Sequence, residues 1–207
     1  MRLAVPAGRL EEPSMAWLRN MGVIGDYRRG RTLVFHATPN LEMVVARSRD
    51  IPRLLTEGVV DLAVMGRDAA IDSGVALWLS ESLGFGGCRL MLALPVGTMW
   101  DPSRAWRIAS RYPAVTANWA HEEGITVQVV GLAGSVEAAP RLGLADAVVD
   151  VVETGHTLRA NGLEPVLTVL ESSARLVTRP GESHRVDELL GRTEKWEGVV
   201  SRAAGQA

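Results

Sequence analysis

The chain has 207 residues, with 22 Lys and Arg against 24 Asp and Glu, which gives a formal net charge of −2. Because nonspecific nucleic-acid binders are usually basic, this balance argues against nucleic acid as a partner. No apolar run approaches the ~20 residues of a membrane helix, and the first residues lack the long apolar stretch of a secretory signal, so we expect a cytoplasmic protein without membrane association. The single cysteine, Cys88, excludes an internal disulfide and a thiolate zinc cluster.

The first part of the chain alternates between short apolar runs and segments with helical periodicity. Strands are predicted at 3–6, 32–37, 43–46 and 62–65. An amphipathic helix is predicted at 10–21, ended by Gly22. A second helix is predicted from Asp50 as N-cap, with Pro52 in the first turn, to a stop at Gly58. This alternation is typical of an α/β fold with a parallel sheet.

A second block of the same pattern begins near Cys88. Strands are predicted at 89–94, 107–109, 126–130, 147–152, 165–169 and 174–178. Helices are predicted at 115–123, ended by Gly124, at 158–161, and at about 183–199. Because neither a low-complexity linker nor an internal repeat is present, two lobes would be joined by crossing strands and would favour a hinge.

The most informative stretch runs from Ala147 to Leu158. An apolar strand brings Asp150 and Glu153 to its carboxyl end, and the turn Thr154-Gly155-His156-Thr157 then opens a helix at Leu158. Successive backbone N–H groups at such a turn can cradle a phosphate monoester. The two acids could accept hydrogen bonds from ribose hydroxyls or hold a hydrated Mg²⁺. A buried strand followed by an ordinary capped helix fits this stretch equally well.

Two further motifs fit anion binding, each with a simpler alternative. In the first, a strand is predicted to end at Gly134 and Ser135 just before a helix, with Glu137 in its first turn; this pattern suits a pyrophosphate oxygen but is a weak signal alone. In the second, Gly8 and Arg9 follow the first strand, where an arginine can grip a phosphate with two parallel hydrogen bonds. An exposed arginine in a first helical turn is the alternative, and a basic cluster, Arg28, Arg29 and Arg31, has the same ambiguity.

Together these motifs resemble the catalytic part of ATP phosphoribosyltransferase. The resemblance covers nearly the whole chain, and it is most specific from Gly134-Ser135-Val136-Glu137 to Asn161-Gly162-Leu163. Further segments share it: Asp50-Ile51-Pro52, Glu57-Gly58-Val59-Val60-Asp61-Leu62, Gly66-Arg67-Asp68, Phe85-Gly86-Gly87-Cys88-Arg89-Leu90, and Arg107-Ile108-Ala109 before Tyr112-Pro113. The chain lacks the length for the C-terminal histidine-binding domain of long-form members, so it resembles a short form.

The resemblance implies a two-lobed α/β fold like that of type II periplasmic binding proteins, with the active site in the cleft between the lobes. The first lobe would contain residues 1–88 and 170–207, and the second residues 89–169. Short forms typically associate with a catalytically inactive relative of histidyl-tRNA synthetase, which supplies full activity and feedback by histidine. A dimer is the expected minimum assembly.

The resemblance also implies residue roles. The loop for the 5-phosphate of phosphoribosyl pyrophosphate (PRPP) would be formed by Glu153, Thr154, Gly155, His156, Thr157 and Leu158. Asp150 and Glu153 match the acidic pair beside the ribose, with Mg²⁺ held through water if they bind it, and Gly134 and Ser135 would approach the pyrophosphate. Gly8, Arg9 and Arg31 match the ATP side, and Arg9, Arg31 and Asp150 are the candidate catalytic residues. His156 is expected to contribute only its backbone.

One position departs from the family pattern. Members usually have a lysine before the Gly-Arg of the first loop, whereas this chain has Ala7. Loss of a cation from a phosphate-rich site should weaken ligand binding unless Arg9, the cluster at 28–31 or Mg²⁺ compensates.

The reaction implied is attack of the adenine N1 of ATP on C1 of PRPP, with inversion at C1 and release of pyrophosphate, at the entry to histidine biosynthesis. Since N1 already has a free lone pair, no Ser-His-Asp or Cys-His arrangement is expected. Three alternatives remain open. They are a ligand-binding module on the same fold, a homologue that binds nucleotide without turnover, as Ala7 suggests, and a phosphoribosyltransferase for a free base, which the motif order disfavours.

Overall fold

The computed structural model describes residues 1–26, 30–152 and 155–191, together with the backbone of 198–200. The chain divides into two compact units, one formed by Met1–Gly86 with Ser173–Ala207 and the other by Gly87–Ser172. The sequence-based division falls after residues 88 and 169. No described helix is both long and apolar enough to cross a membrane.

The first unit is built on a seven-stranded mixed sheet. Its strands, numbered along the chain, are β1 (Arg2–Pro6), β2 (Val34–Thr38), β3 (Leu41–Ala46), β4 (Leu62–Gly66), β5 (Trp78–Ser80), β11 (Ala174–Thr178) and β12 (Gly198–Val200). Their order is β12-β5-β11-β4-β1-β3-β2. Its helices are α1 (Glu11–Asn20), α2 (Ile51–Thr56), α3 (Arg67–Asp72) and α6 (His184–Leu190).

Two sequence predictions are wrong in this unit. Only β1, β3 and β4 pair in parallel, because β2 forms an antiparallel pair with β3, and β11 runs antiparallel to both β4 and β5. The helix predicted over 183–199 ends at Leu190, where Gly191 takes a left-handed conformation with φ of 60°. Residues 198–200 then pair with β5 as a strand.

The second unit has a five-stranded mixed sheet. Its elements are β6 (Cys88–Pro95), β7 (Trp106–Ser110), α4 (Pro113–Glu122), β8 (Val127–Gly131), a short 3₁₀ helix (Val136–Ala138), β9 (Ala147–Val152), α5 (His156–Ala160) and β10 (Leu163–Ser172). The strand order is β10-β6-β9-β7-β8. The strand β9 lies at the centre, where Ala147, Val148 and Val149 are fully buried, as its continuous apolar sequence predicts.

The direction of three strands positions the candidate site. The strand β7 pairs in parallel with β8 on one side and with β9 on the other. The carboxyl ends of all three strands therefore lie at one edge of the sheet. In α/β sheets, ligands commonly bind at such an edge, where the loops that follow neighbouring strands converge.

Candidate functional site

A pocket of about 330 Å³ lies at this edge of the second unit's sheet. Its size is within the range of small-molecule sites. The residues that line it come from the carboxyl ends of β7, β8 and β9 and from the segments that follow them. They are Arg111, Ser135, Glu137, Asp150, Val151, Val152, Gly155, His156, Thr157 and Leu158.

An ion pair lies at the wall of the pocket, between Arg111 and Asp150. The Nε of Arg111 donates a hydrogen bond of 3.0 Å to Oδ1 of Asp150, and the backbone N–H of Val151 donates to the same oxygen at 2.8 Å. Asp150 is buried, and this burial raises its carboxyl pKa despite the lowering effects of Val151 and Arg111, while Glu137 raises it further. Burial opposes the charge of Arg111, but the Asp150 carboxylate outweighs it and raises the pKa of the guanidinium.

Two residues of the pocket have left-handed backbones. Ser135 has φ of 52° and precedes the short 3₁₀ helix, and Gly155 has φ of 73° and precedes α5. Ser135 is the one non-glycine residue with positive φ among those that the structure describes. A left-handed residue next to a right-handed turn points successive N–H groups to one side, which forms a concave site for anions. Non-glycine residues with a left-handed backbone are concentrated at functional sites.

Six predicted PRPP-binding residues line the same pocket. They are Ser135, Asp150, Gly155, His156, Thr157 and Leu158. Gly134 directly precedes Ser135 but does not line the pocket itself, and Glu153 and Thr154 lie outside the described residues.

The predicted ATP-binding residues belong to the first unit. Gly8 follows β1 with φ of 91°, and Arg9 and Arg31 are both exposed. Of the basic cluster, Arg28 and Arg29 lie outside the described residues. The roles of Gly8, Arg9 and Arg31 stay predictions.

The structure corrects two local predictions around the pocket. The strand predicted at 126–130 spans Val127–Gly131, so it does not run up to Gly134 and Ser135 as the motif implied, and Ser135 is followed by a 3₁₀ helix of only three residues. The helix α5 begins at His156 instead of Leu158 and has five residues. Both helices are too short for a substantial dipole, so any anion binding here would rest on individual N–H groups and side chains.

Sequence reasoning missed Arg111. Its partner Asp150 lies 39 residues away, and only the parallel pairing of β7 with β9, with Ser110 opposite Val149, brings the two together. A signal was nonetheless present. Arg111 lies two residues after the strand predicted at 107–109, much as Arg9 lies three residues after the strand predicted at 3–6, and Pro113 then starts a helix at N1.

The carboxylates of the pocket are compatible with a hydrated Mg²⁺. No group of three or more His, Cys, Asp or Glu side chains suited to a metal occurs among the described residues. Mg²⁺ does not need such a group, since it usually keeps several waters and binds one or two carboxylates together with substrate phosphates. Asp150 and Glu137 provide two carboxylates in one pocket.

Comparisons with known proteins agree on one family. The family model for ATP phosphoribosyltransferase (HisG) matches residues 47–195. The ATP phosphoribosyltransferase of Thermococcus gammatolerans is 40% identical over 192 residues, with 91% of this chain and 93% of that protein covered. The enzyme of Thermococcus kodakarensis is 37% identical over 207 residues, with 99% and 100% covered.

Solved structures show the same relationship. A chain of the ATP phosphoribosyl transferase (HisG:HisZ) complex from Thermotoga maritima matches with a TM-score of 0.75 at 30% identity, with 92% of this chain and 96% of that chain covered. A periplasmic binding protein from Silicibacter pomeroyi matches with a TM-score of 0.58 at 14% identity, over 92% and 87% of the two chains. This second likeness concerns the fold alone, and it confirms the predicted periplasmic-binding-protein-like α/β fold.

Proposed function

The chain belongs to the ATP phosphoribosyltransferase family, and we propose that the pocket of its second unit is the site that binds PRPP. The enzyme transfers the phosphoribosyl group of PRPP to N1 of ATP and releases pyrophosphate, the first step of histidine biosynthesis. One observation carries the proposal. Six residues that the sequence predicts to bind PRPP line a single cavity. Arg111 lines the same cavity and can form an ion pair with a phosphate group.

Within the pocket, each group of residues would take one part of the substrate. The N–H groups and hydroxyl of the segment Gly155, His156, Thr157 and Leu158 would bind the 5-phosphate. The carboxylate of Asp150 would accept hydrogen bonds from the ribose hydroxyls, together with Glu153. Ser135, with Gly134 before it and its strained left-handed backbone, would face the pyrophosphate.

Catalysis in this arrangement would come from positioning and electrostatics. N1 of adenine attacks with its own lone pair, so no side chain has to remove a proton. Positive charge spreads over the ribose ring in the transition state, and negative charge gathers on the departing pyrophosphate. The acidic residues and N–H groups would hold the sugar while C1 is attacked, so the reaction requires no nucleophilic triad.

The remaining roles come from the family likeness. Gly8, Arg9 and Arg31 would bind ATP or the departing phosphates, and Thr154 would complete the 5-phosphate loop. Bound Mg²⁺ would neutralise charge on the leaving pyrophosphate. The predicted carboxylates for the ion are Asp150 and Glu153, through water. The lining of the pocket adds Glu137 as a second carboxylate near Asp150 that would serve the same purpose.

The likeness to a HisG:HisZ complex supports a hetero-oligomer with a regulatory subunit. We propose that this subunit resembles histidyl-tRNA synthetase, that the chain forms at least a homodimer, and that it works in the cytoplasm. Co-purification of the two subunits, followed by light scattering with and without the partner, tests the assembly. A chain that stays monomeric and does not bind such a subunit contradicts it.

Thr157→Ala tests the PRPP assignment. If Thr157 makes a charge-assisted contact with the 5-phosphate, the KM for PRPP rises ~10-fold or more, while the KM for ATP changes little. Thr168→Ala is the matched control, because Thr168 is exposed on β10 and does not line the pocket. Formation of phosphoribosyl-ATP is followed at saturating ATP and Mg²⁺. Equal KM values for PRPP in both variants would refute the assignment.

A further inference from the structure

Two arginines form similar ion pairs between the neighbouring strands β7 and β9. Arg107 lies on β7 and pairs with Asp146, directly before β9, and Arg111 directly follows β7 and pairs with Asp150 on β9. Nη2 of Arg107 lies 2.9 Å from Oδ1 of Asp146, and Nε of Arg111 lies 3.0 Å from Oδ1 of Asp150. Each pair spans 39 residues of sequence. The arginine side chains are 45% and 42% exposed, so the two guanidinium groups hardly differ in exposure, whereas Asp146 is 29% and Asp150 is 9% exposed.

The two guanidinium groups differ in how many hydrogen bonds they make. At Arg107 all three nitrogens donate, with Nε and Nη2 bonded to the Asp146 carboxylate and Nη1 to the carbonyl oxygen of Gly143. At Arg111 only Nε donates, and Nη1 and Nη2 make no hydrogen bond to the residues that the structure describes. Arg107 thus links β7 to the segment 143–146. In Arg111, Nη1 and Nη2 remain available to donate two parallel hydrogen bonds to a phosphate.

Arg111 lies between the two loops that are proposed to bind the two ends of PRPP. The strand β7 lies between β8 and β9, and Arg111 directly follows β7. The loop after β8 contains Ser135, and the loop after β9 contains Gly155 and Thr157. PRPP carries its anionic groups at opposite ends of the ribose, so a 5-phosphate bound by the second loop leaves the pyrophosphate on the side of Arg111 and Ser135.

Resting on the proposed function, we propose that Arg111 binds the pyrophosphate group of PRPP through Nη1 and Nη2 while its Nε stays bonded to Asp150. The bond to Asp150 fixes the plane of the guanidinium before substrate arrives, which reduces the entropy lost on binding. When the bond between C1 and the pyrophosphate oxygen breaks, the electron pair leaves with the pyrophosphate. The positive charge of Arg111 then stabilises the growing negative charge.

Binding of the two separate halves of the substrate tests this assignment. Affinities for pyrophosphate and for ribose 5-phosphate are measured by calorimetry, with Mg²⁺ present, for the full chain and its variants. Arg111→Gln should weaken pyrophosphate binding ~10-fold or more and change ribose 5-phosphate binding less than about twofold. Arg111→Lys, which keeps the charge but lacks the planar fork, should fall between the wild type and Arg111→Gln.

Arg107→Gln is the matched control, since it removes an ion pair from the same two strands outside the pocket. It should leave both affinities unchanged. Unchanged pyrophosphate binding in folded Arg111→Gln would overturn the inference, as would an equal loss for both ligands; if that variant does not fold, pyrophosphate binding at the wild-type level in Arg111→Lys would do so. Failure of the proposed function itself would appear separately, as wild-type ribose 5-phosphate binding in Thr157→Ala.

Discussion

The hydroxyl of Ser110 donates a hydrogen bond of 2.9 Å to the carbonyl oxygen of Val149, and this buried bond joins the carboxyl ends of β7 and β9. The hydroxyl oxygen of Ser110 also accepts a hydrogen bond of 2.9 Å from the backbone N–H of Tyr112. Arg111 lies in the sequence between Ser110 and Tyr112, the two ends of this second bond. Ser110 therefore fixes the backbone from which Arg111 reaches Asp150, and it does so without lining the pocket.

Ser110→Ala should lower the free energy of unfolding by about 1–2 kcal/mol, because it removes both hydrogen bonds from a fully buried place. Urea unfolding followed by circular dichroism measures the change. Ser103→Ala is the control, since the Ser103 hydroxyl bonds to Asp101 in an exposed loop and its loss should cost less than about 0.5 kcal/mol. Equal losses in the two variants would show that the buried bond is not important for stability.

The sequence predicted β9 and its loop because their signals are local. An unbroken apolar run marks a central strand, and a Thr-Gly turn with its two acidic neighbours marks the site. The ion pair of Arg111 with Asp150 could not be predicted from local sequence, because the two residues are 39 positions apart and meet only when β7 pairs with β9.

The remaining differences in the fold have physical causes as well. The strand β5 has three residues, too few to show a period of two. The antiparallel course of β11 depends on where the chain returns to the first unit, which no local pattern records. The helix over 183–199 was overextended because its polar sequence continues past Gly191, where the left-handed backbone ends the helix.

Asp150→Asn should reduce turnover with PRPP by ~10-fold or more without destabilising the protein at neutral pH. Burial raises the pKa of the Asp150 carboxyl, so its ionised form opposes folding and a neutral amide of the same shape removes that cost. A raised folded-state pKa contributes stability that is present at low pH and lost as pH rises through it. The melting temperature of Asp150→Asn relative to wild type should therefore increase from pH 3 to pH 7.

One result would contradict the stability prediction for Asp150→Asn. A variant that is less stable than wild type at pH 7, with a difference that shrinks toward pH 3, would mean that the bond to Arg111 outweighs burial. Differential scanning calorimetry across this pH range separates the two cases.

Gly155→Ala and Gly162→Ala form a matched pair, because both glycines have φ of 73°. Alanine in this left-handed conformation costs about 1 kcal/mol, so both variants should lose similar stability. A Cβ at Gly155 would lie 3.1 Å from Nη1 of Arg159, the far end of a flexible side chain, and a Cβ at Gly162 would meet nothing within 4 Å. Only Gly155 lines the pocket, so the KM for PRPP should rise in Gly155→Ala alone.

Initial rates at varied PRPP and saturating ATP measure this difference. A comparable rise in KM for Gly162→Ala would show that the effect comes from general loss of order. No rise in either variant would indicate that phosphate does not approach the backbone of Gly155.

Ala7→Lys should improve substrate binding. Family members usually have a lysine here, and a cation near phosphate gains on the order of 1 kcal/mol at an exposed site, or about fivefold in affinity. The control is Ala117→Lys, which adds the same charge at an exposed position of α4. A fall in the KM for ATP or PRPP in Ala7→Lys alone supports a substrate-facing loop at Gly8 and Arg9, and equal kinetics in both variants would contradict it.

The most direct measurement is a crystal structure of the protein with PRPP and Mg²⁺. The account predicts the 5-phosphate within hydrogen-bond distance of the N–H groups at 155–158, a ribose hydroxyl on Asp150, and the pyrophosphate near Ser135 and Arg111. Substrate density elsewhere, with this pocket filled only by water, would contradict the central claim.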